Sequence, residues 1–582
     1  MKFLTYLIFA ISIFCFFMES GTVTAQDYYI DFNEGKDAND GKTLTSPWKS
    51  FVNVGETYFD PGDNILLKRG SQWEETLVVS LSGTEKDPIT IGAYGTGDNP
   101  LIKCSTAFSK WSLYIDDSNK KIWKGSISGV KTSLGAMKNN ILFNKYFEYA
   151  VEGSELSAPA DLESMKDGYF FSPLNNYTFY LRNDDGNPGN IEVGSRPNTI
   201  NVKESKNVVI DSIDSYGISG ADSNSGTTGL VQVIVKNSNN IIIKNCTLSY
   251  NHSGGAVIGS GSSNCTFYNV TSFKHGSTGL YFANSGSGNK AIACKVYDCG
   301  YTPVFKGDQG SIGIWNTPDV TIDKCYVSGN GYKGDPGIDA AVSFVQSPNG
   351  AIVRSHVKNS GGIGILFAEG SNNSIAAYNI IDKWAVLGET LTDVMDFGGI
   401  HIGAGNLNIL QNNFQIYNNL FINGGMTSRR EAALLVRRGD YTGIKVKNNI
   451  FYNNIGAYDV YAQSPNSFKE WEFSNNLYFR KSGNAISWND KIYDFDHIIG
   501  VESGYFSFDQ KLDLNSIVGD PLLTDDKLNI KSDSPCINRG VWVGLNEDYY
   551  GNPVTEDGMV DIGPFELSDV STPKPPSGLR IE

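Results

Sequence analysis

Asn418-Asn419-Leu420-Phe421, Asn448-Asn449-Ile450-Phe451 and Asn475-Asn476-Leu477-Tyr478 are one motif written three times, at steps of 30 and 27 residues. Upstream the step shortens to 24: Asn245-Cys246-Thr247 returns as Asn269-Val270-Thr271, Gly255-Ala256-Val257 returns as Gly279-Leu280-Tyr281, and Cys294 lies 24 after Val270. A period in the twenties with variable insertions marks a solenoid. Within each repeat the apolar runs are short, β-branched and bounded by Gly and Asn, as in Ile241-Ile242-Ile243, Val320-Thr321-Ile322 and Ile444-Lys445-Val446. Such runs read as short strands, and no stretch carries a sustained helical period. Stacked coils of this kind pair their backbones with the coils above and below, leaving open edges only at the two ends. Asparagine suits the turns because it tolerates left-handed backbone and can hydrogen-bond to the next coil. The expected fold is all-β: a parallel β-helix of about ten or more coils with N- and C-terminal caps.

Composition agrees. The chain has 582 residues, with 63 Gly, 20 Pro and 12% aromatic residues, which excludes collagen-like and proline-rich disordered classes. A formal net charge of −16 argues against nucleic acid as a partner. It leaves an anionic substrate possible, because a local basic cleft can sit on an acidic body. Lys2 followed by the apolar run Phe3 to Met18 and the small residues Val23-Thr24-Ala25 reads as a cleavable export signal over residues 1–25. The competing reading is an N-terminal membrane anchor. The first implies a periplasmic or extracellular protein, expected to act as a monomer away from membranes. Cys15 lies in the signal, and seven cysteines remain. No Cys-x-x-Cys pair suggests a zinc site. Cys246, Cys294 and Cys325 fall in one column of the solenoid. Side-by-side neighbours suit disulfide geometry poorly, so buried free thiols are expected.

The chain divides into residues 26–198 (N-terminal cap, first coils and an aromatic-rich elaboration over 101–198), 199–480 (regular helix), 481–568 (C-terminal coils and cap) and a linker-like tail over 569–582. Asp27 to Asp31 through Gly41 and Ser46-Pro47-Trp48, then Gly62-Asp63-Asn64-Ile65-Leu66-Leu67-Lys68-Arg69-Gly70 and Asp87-Pro88-Ile89-Thr90-Ile91-Gly92-Ala93-Tyr94-Gly95, resemble the opening of secreted bacterial right-handed parallel β-helix proteins of the pectate-lyase-like group. Gly519-Asp520-Pro521, Ser534-Pro535-Cys536-Ile537 and Asp561-Ile562-Gly563-Pro564-Phe565-Glu566 are similar to the group's closing cap. The resemblance covers nearly the whole mature chain and implies a right-handed helix. It is weak for chemistry, since the group includes polysaccharide lyases, glycoside hydrolases, uronan epimerases and proteins without known activity. The Asp-Pro-His-Asp motif of mannuronan epimerases is absent.

Chemistry is sought where insertions gather, because solenoids carry them on one, often functional, face. Four are visible: Tyr301 to Gly310, Gly331 to Asp339, Lys383 to Gly398 and Gly424 to Glu431, each leading into a strand. Alternation along those strands directs Ile400 and Ile402 inward and His401 outward, and likewise turns Tyr281, Trp315, Ser343 and Arg437 outward, along one lengthwise groove. The candidate catalytic residues are His401, Lys333, Lys306 and His275. The candidate substrate-binding residues are Arg437, Arg429 and Arg430, which suit carboxylate or sulfate, and Trp315 and Tyr281, which suit sugar rings. Asp335 and Asp339 are the carboxylates available if calcium is a cofactor.

Two mechanisms fit an anionic glycan. In β-elimination a cation neutralises a uronate carboxylate, a base takes the C5 proton and the C4 oxygen departs, cutting the chain or dehydrating a non-reducing end. In hydrolysis two carboxylates cooperate, drawn from Asp308, Asp335, Asp339, Asp393 and Asp396. A non-catalytic glycan-binding solenoid is the third possibility. The Lys, His and Arg set places elimination first.

Overall fold

The computed structural model describes residues 24–567 except 118, 128–135, 139–140, 143, 146–164, 166, 172–177, 219–230, 252, 301–309, 331–339, 387–396, 404–408, 426–430, 438, 456–457, 464–469, 481–483, 489–490, 495–512 and 557. Three long sheets of 14, 13 and 13 strands run side by side, and each coil contributes one strand to each in turn. One coil shows the plan: Asn239–Lys244 in the first sheet, Thr247–Asn251 in the second and Gly254–Ile258 in the third. The next coil re-enters the first sheet at Thr266–Tyr268, pairing in parallel with Asn239–Lys244. The expected parallel β-helix is therefore the fold.

The opening motif explains why successive coils stay in register. Leu420, Ile450 and Leu477 pair across neighbouring coils of the second sheet, and so do Phe421, Phe451 and Tyr478. The latter three rings point inward and stack at 5.0 Å with planes within 4° of parallel. All three are fully buried. Burying such a ring contributes about 2–3 kcal/mol. A slip of one residue would turn the column out of the core.

Each asparagine of the motif has its own task. The first, Asn418, Asn448 and Asn475, takes left-handed φ values of 51°, 60° and 54° and makes the corner. The second forms an internal ladder, with the Asn419 Nδ2 donating to Asn449 Oδ1 at 3.0 Å and the Asn449 Nδ2 donating to Asn476 Oδ1 at 3.1 Å. The ladder pairs amides that would otherwise be buried without partners. Cys246, Cys294 and Cys325 are buried free thiols, as expected, and so are the other described cysteines.

The four insertions all leave the corner between the second and third sheets. Tyr301–Gly310, for example, lies between Lys295–Cys299 of the second sheet and Ile312–Trp315 of the third. The aromatic-rich elaboration uses the same corner. It departs after Leu101–Lys103 and returns at Ile200–Lys203, forming a four-stranded antiparallel sheet and a five-stranded mixed sheet of its own. A Phe108, Phe170, Phe179, Leu181, Ile191 and Val193 cluster is its separate core. Lys103 ties it down through a 2.9 Å ion pair with Glu192.

The C-terminal segment is not confined to the end of the helix. Residues 523–567 run back over the outer faces of the first two sheets as a strap. Leu523, Ile530, Cys536, Ile562 and Phe565 cover Ile380, Leu420, Ile450 and Leu477. Val554 and Val560 cover Ala377, Tyr378 and Tyr417. Arg354 reaches Glu547 while holding Asp323 at 2.7 Å. The corner asparagines clasp the strap's backbone: Asn418 donates to Gly563 O at 3.0 Å, Asn448 to Val541 O at 2.7 Å and Asn475 to Arg539 O at 2.8 Å.

Candidate functional site

The outer face of the third sheet carries the residues expected in the groove. Register aligns Val257, Tyr281, Gly313, Ser343, Leu366, His401, Leu435 and Tyr461 in one outward row. The neighbouring outward row holds Ala283, Trp315, Val345, Ala368, Gly403 and Arg437, with Arg437 following the last paired residue of its strand. Alternation thus orients His401 as expected, with Ile400 and Ile402 in the core. The expected open floor is absent, however. Ser343, Leu366, His401 and Leu435 are at most 1% exposed, whereas Trp315 is 42% exposed. Tyr281 is half-buried against Val257, Ile234 and Ala283.

His401 has an unusual environment. Its Nε2 is 2.8 Å from Gly403 O, an acceptor, so this nitrogen carries the hydrogen and Nδ1 has the lone pair. Nδ1 is buried and has no hydrogen-bond partner among the described residues. Burial pushes the imidazole down to about 3; the nearby Arg437 cation adds to the shift and the Gly403 carbonyl opposes it. The ring is therefore neutral at ordinary pH, and the Arg437 cation acts on it.

His275 lies elsewhere. It closes the strand Thr271–His275 of the second sheet, is fully buried and has backbone partners at both nitrogens. Nδ1 accepts from Asn251 N at 3.3 Å and Nε2 is 3.2 Å from Leu248 O. Burial lowers it to about 3. This position does not suit the catalytic role expected of His275: the ring braces the corner inside the coil. Its neighbour Lys274 pairs with Asp298 at 2.8 Å. Lys306, Lys333, Arg429 and Arg430 lie outside the described residues, as do Asp308, Asp335, Asp339, Asp393 and Asp396. Among the described residues, no group of three or more His, Cys, Asp or Glu is arranged to hold a metal.

Two acids near this corner escaped the sequence reading as a pair. Glu431, which precedes the third-sheet strand Ala432–Val436, is buried, and Asp459 on the next strand is fully buried. Ala432 pairs with Tyr458, so Glu431, one residue before its strand, lies close to Asp459 on the adjacent strand. Strand geometry separates their Cα atoms by about 8 Å. Asp459 accepts from Asn454 Nδ2 at 2.9 Å and lies 3.9 Å from Arg480. Burial pushes it up to about 6 against the pull of Arg480 and Asn454. No sequence period flags Asp459; only its apolar neighbours Val460 and Ala462, both core residues, hint at its burial.

Residues 231–415 match the family described as the right-handed β-helix region. The helix is right-handed. Lacto-N-biosidase of Bifidobacterium longum subsp. longum is 37% identical over 86 residues, which is 14% of this chain and 5% of that protein. The chain thus spans about a twentieth of that curated relative's length. Among solved structures, XylC in complex with xylose superposes with a TM-score of 0.54 at 11% identity, covering 93% of this chain and 98% of XylC. Pectate lyase Pel9A superposes with a TM-score of 0.40 at 14% identity, covering 94% of this chain and 97% of that one. At 11% identity the likeness to XylC is one of fold.

Proposed function

We propose that this chain is an exported, monomeric enzyme that breaks an acidic glycan by β-elimination at the outer face of the third sheet. The observation that carries the reading is the unpartnered, buried Nδ1 of His401 with Arg437 beside it. Buried polar atoms without partners are rare and call for an explanation. A uronate carboxylate against Arg437 supplies one. It offsets the cation that depresses His401, so the imidazole gains basicity when substrate binds. Nδ1 then takes the C5 proton. The C5–H electrons form the C4–C5 double bond, the C4–O bond breaks and the leaving oxygen takes a proton. Lys306 and Lys333, in the insertions from this corner, are the proposed proton donors. Arg429 and Arg430 are assigned to the next acidic or sulfated unit, and Trp315 and Tyr281 to sugar stacking. If calcium takes part, Asp335 and Asp339 are its proposed ligands.

A second reading, hydrolysis, is favoured by buried Glu431 at the same corner and by the stretch similar to a lacto-N-biosidase. Incubation with uronic-acid polysaccharides and their oligosaccharides separates the two. Elimination gives unsaturated uronate absorbance that disappears in His401→Ala. New reducing ends without that absorbance, lost in Glu431→Gln, establish hydrolysis instead.

A further inference from the structure

His401 donates to one atom, the Gly403 carbonyl, and Gly403 has little freedom. Its φ is +87°, a conformation that side chains other than glycine adopt at a cost. A Cβ at this position would overlap the Tyr441 hydroxyl. Tyr441 is 1% exposed and belongs to the main core. It also lies over Gly439, where a Cβ would stand 3.1 Å from the ring. The pair of short strands Gln411–Asn412 and Tyr441–Thr442 clamps it across two coils, outside the three main sheets. Its carbonyl also accepts from Trp471 Nε1 at 3.3 Å. Gly403 is anchored in turn, donating to Phe367 O at 2.8 Å. Arg437 acts electrostatically on both rings.

We infer that Tyr441 is a positioning residue: its ring seats the Gly403 turn, and the seated carbonyl holds His401 as the Nε2–H tautomer with Nδ1 bare. The catalytic consequence rests on reading His401 as the base, but the tautomer does not. Both nitrogens of an unrestrained neutral imidazole compete for the proton, and the partner of one decides which atom the other offers. The absence of a side chain at 403 is then a requirement of the site as well as of the turn.

The test is nitrogen NMR of the full chain labelled with 15N-histidine, with His401 assigned by its loss in His401→Gln. At neutral pH the wild type should show a protonated Nε2 and an unprotonated Nδ1. Gly403→Ala should give a mixture of tautomers, and on the true substrate should lower kcat on the order of tenfold with KM nearly unchanged. Tyr441→Leu, which leaves the backbone at 403 unstrained, should also mix the tautomers. A wild-type ring protonated at Nδ1 overturns the inference. So do folded Gly403→Ala and Tyr441→Leu variants whose ring signals match the wild type. If the tautomer is as stated but His401→Gln retains full turnover, the positioning stands and the elimination reading fails.

Discussion

Replacing Glu566 by Gln should stabilise the protein in alkali and leave it unchanged in acid. Glu566 sits in the strap with Asp548 and Asp561. Its backbone N donates to Asp548 Oδ2 at 2.9 Å, and its Oε2 accepts from Asp561 N at 3.1 Å. Among the described residues, its Oε1 is buried without a hydrogen-bond partner, and so is the Tyr378 hydroxyl, on which all three carboxylates act. Burial, then the charge of Asp561, pushes the Glu566 carboxyl from 4.5 to about 8. Below 4.5 the folded and unfolded chains both hold the proton, and the group contributes nothing. Between 4.5 and about 8 the unfolded chain releases the proton while the folded chain keeps it, so stability falls as pH rises. Above that range the whole cost is present. At about 1.4 kcal/mol per pH unit the span sets a ceiling of about 5 kcal/mol. Water entry and relaxation around a partly accessible strap reduce this to roughly 2–3 kcal/mol. Glutamine keeps the shape and removes the titration. Thermal unfolding at acid and alkaline pH reads the difference: Tm values should coincide in acid and diverge in alkali, with the variant higher. Equal Tm values in alkali, or a wild type that gains stability there, would refute the reasoning.

Asn449→Ala should cost about 2–4 kcal/mol in urea unfolding, because it strands the buried Asn419 backbone N–H, which donates to Asn449 Oδ1 at 3.0 Å, as well as removing the 2.8 Å bond to Ile416 O. The described cysteines are buried free thiols, so the folded protein should resist thiol reagents and a reductant should leave Tm unchanged; a drop in Tm on reduction would reveal a disulfide. In Arg437→Ala the His401 ring should titrate above its wild-type value of about 3, since a depressing charge is gone, and NMR pH titration measures the shift directly. An unchanged His401 would separate Arg437 from the site.

The fold was legible because one motif states it repeatedly. Steps of 24 to 30 residues, short β-branched runs and Asn at the corners specify coil length, strand and turn together. The side of the insertions was legible for the same reason, since each breaks the period between one strand type and the next. Alternation set the inward and outward sense of His401 correctly, but it says nothing of depth. A strand residue faces one side or the other, and whether that side meets solvent depends on what packs above it. His401 and Trp315 share a face, yet one is buried and the other is 42% exposed. His275 is a candidate by residue type and by its place after Lys274, and neither tells which way its ring faces. At the end of a strand the chain bends into the corner, alternation stops applying, and the side chain turns into the coil.

The strap shows what a periodic reading leaves out. Residues 481–568 have no repeat, and a segment without a repeat at the end of a solenoid reads as a cap. Their contact partners lie far back in the chain, as in the Arg354–Glu547 pair, 193 residues apart, and no local pattern encodes such a distance. One trace of it is present in the motif itself. The internal ladder needs only one amide per coil, and Asn419, Asn449 and Asn476 supply it. The doubling to Asn-Asn is more than a left-handed corner demands, since Lys383, Arg354 and Tyr378 also take positive φ at corners. The extra amides at Asn418, Asn448 and Asn475 are the ones that grip the strap's backbone. At the corner between the first and second sheets the doubled asparagine occurs in these three coils, where the strap's backbone lies over it. On this argument, replacing Asn448 by Asp, which keeps the acceptor for Val541 N but removes the donor to Val541 O, should loosen the strap while leaving the internal ladder intact.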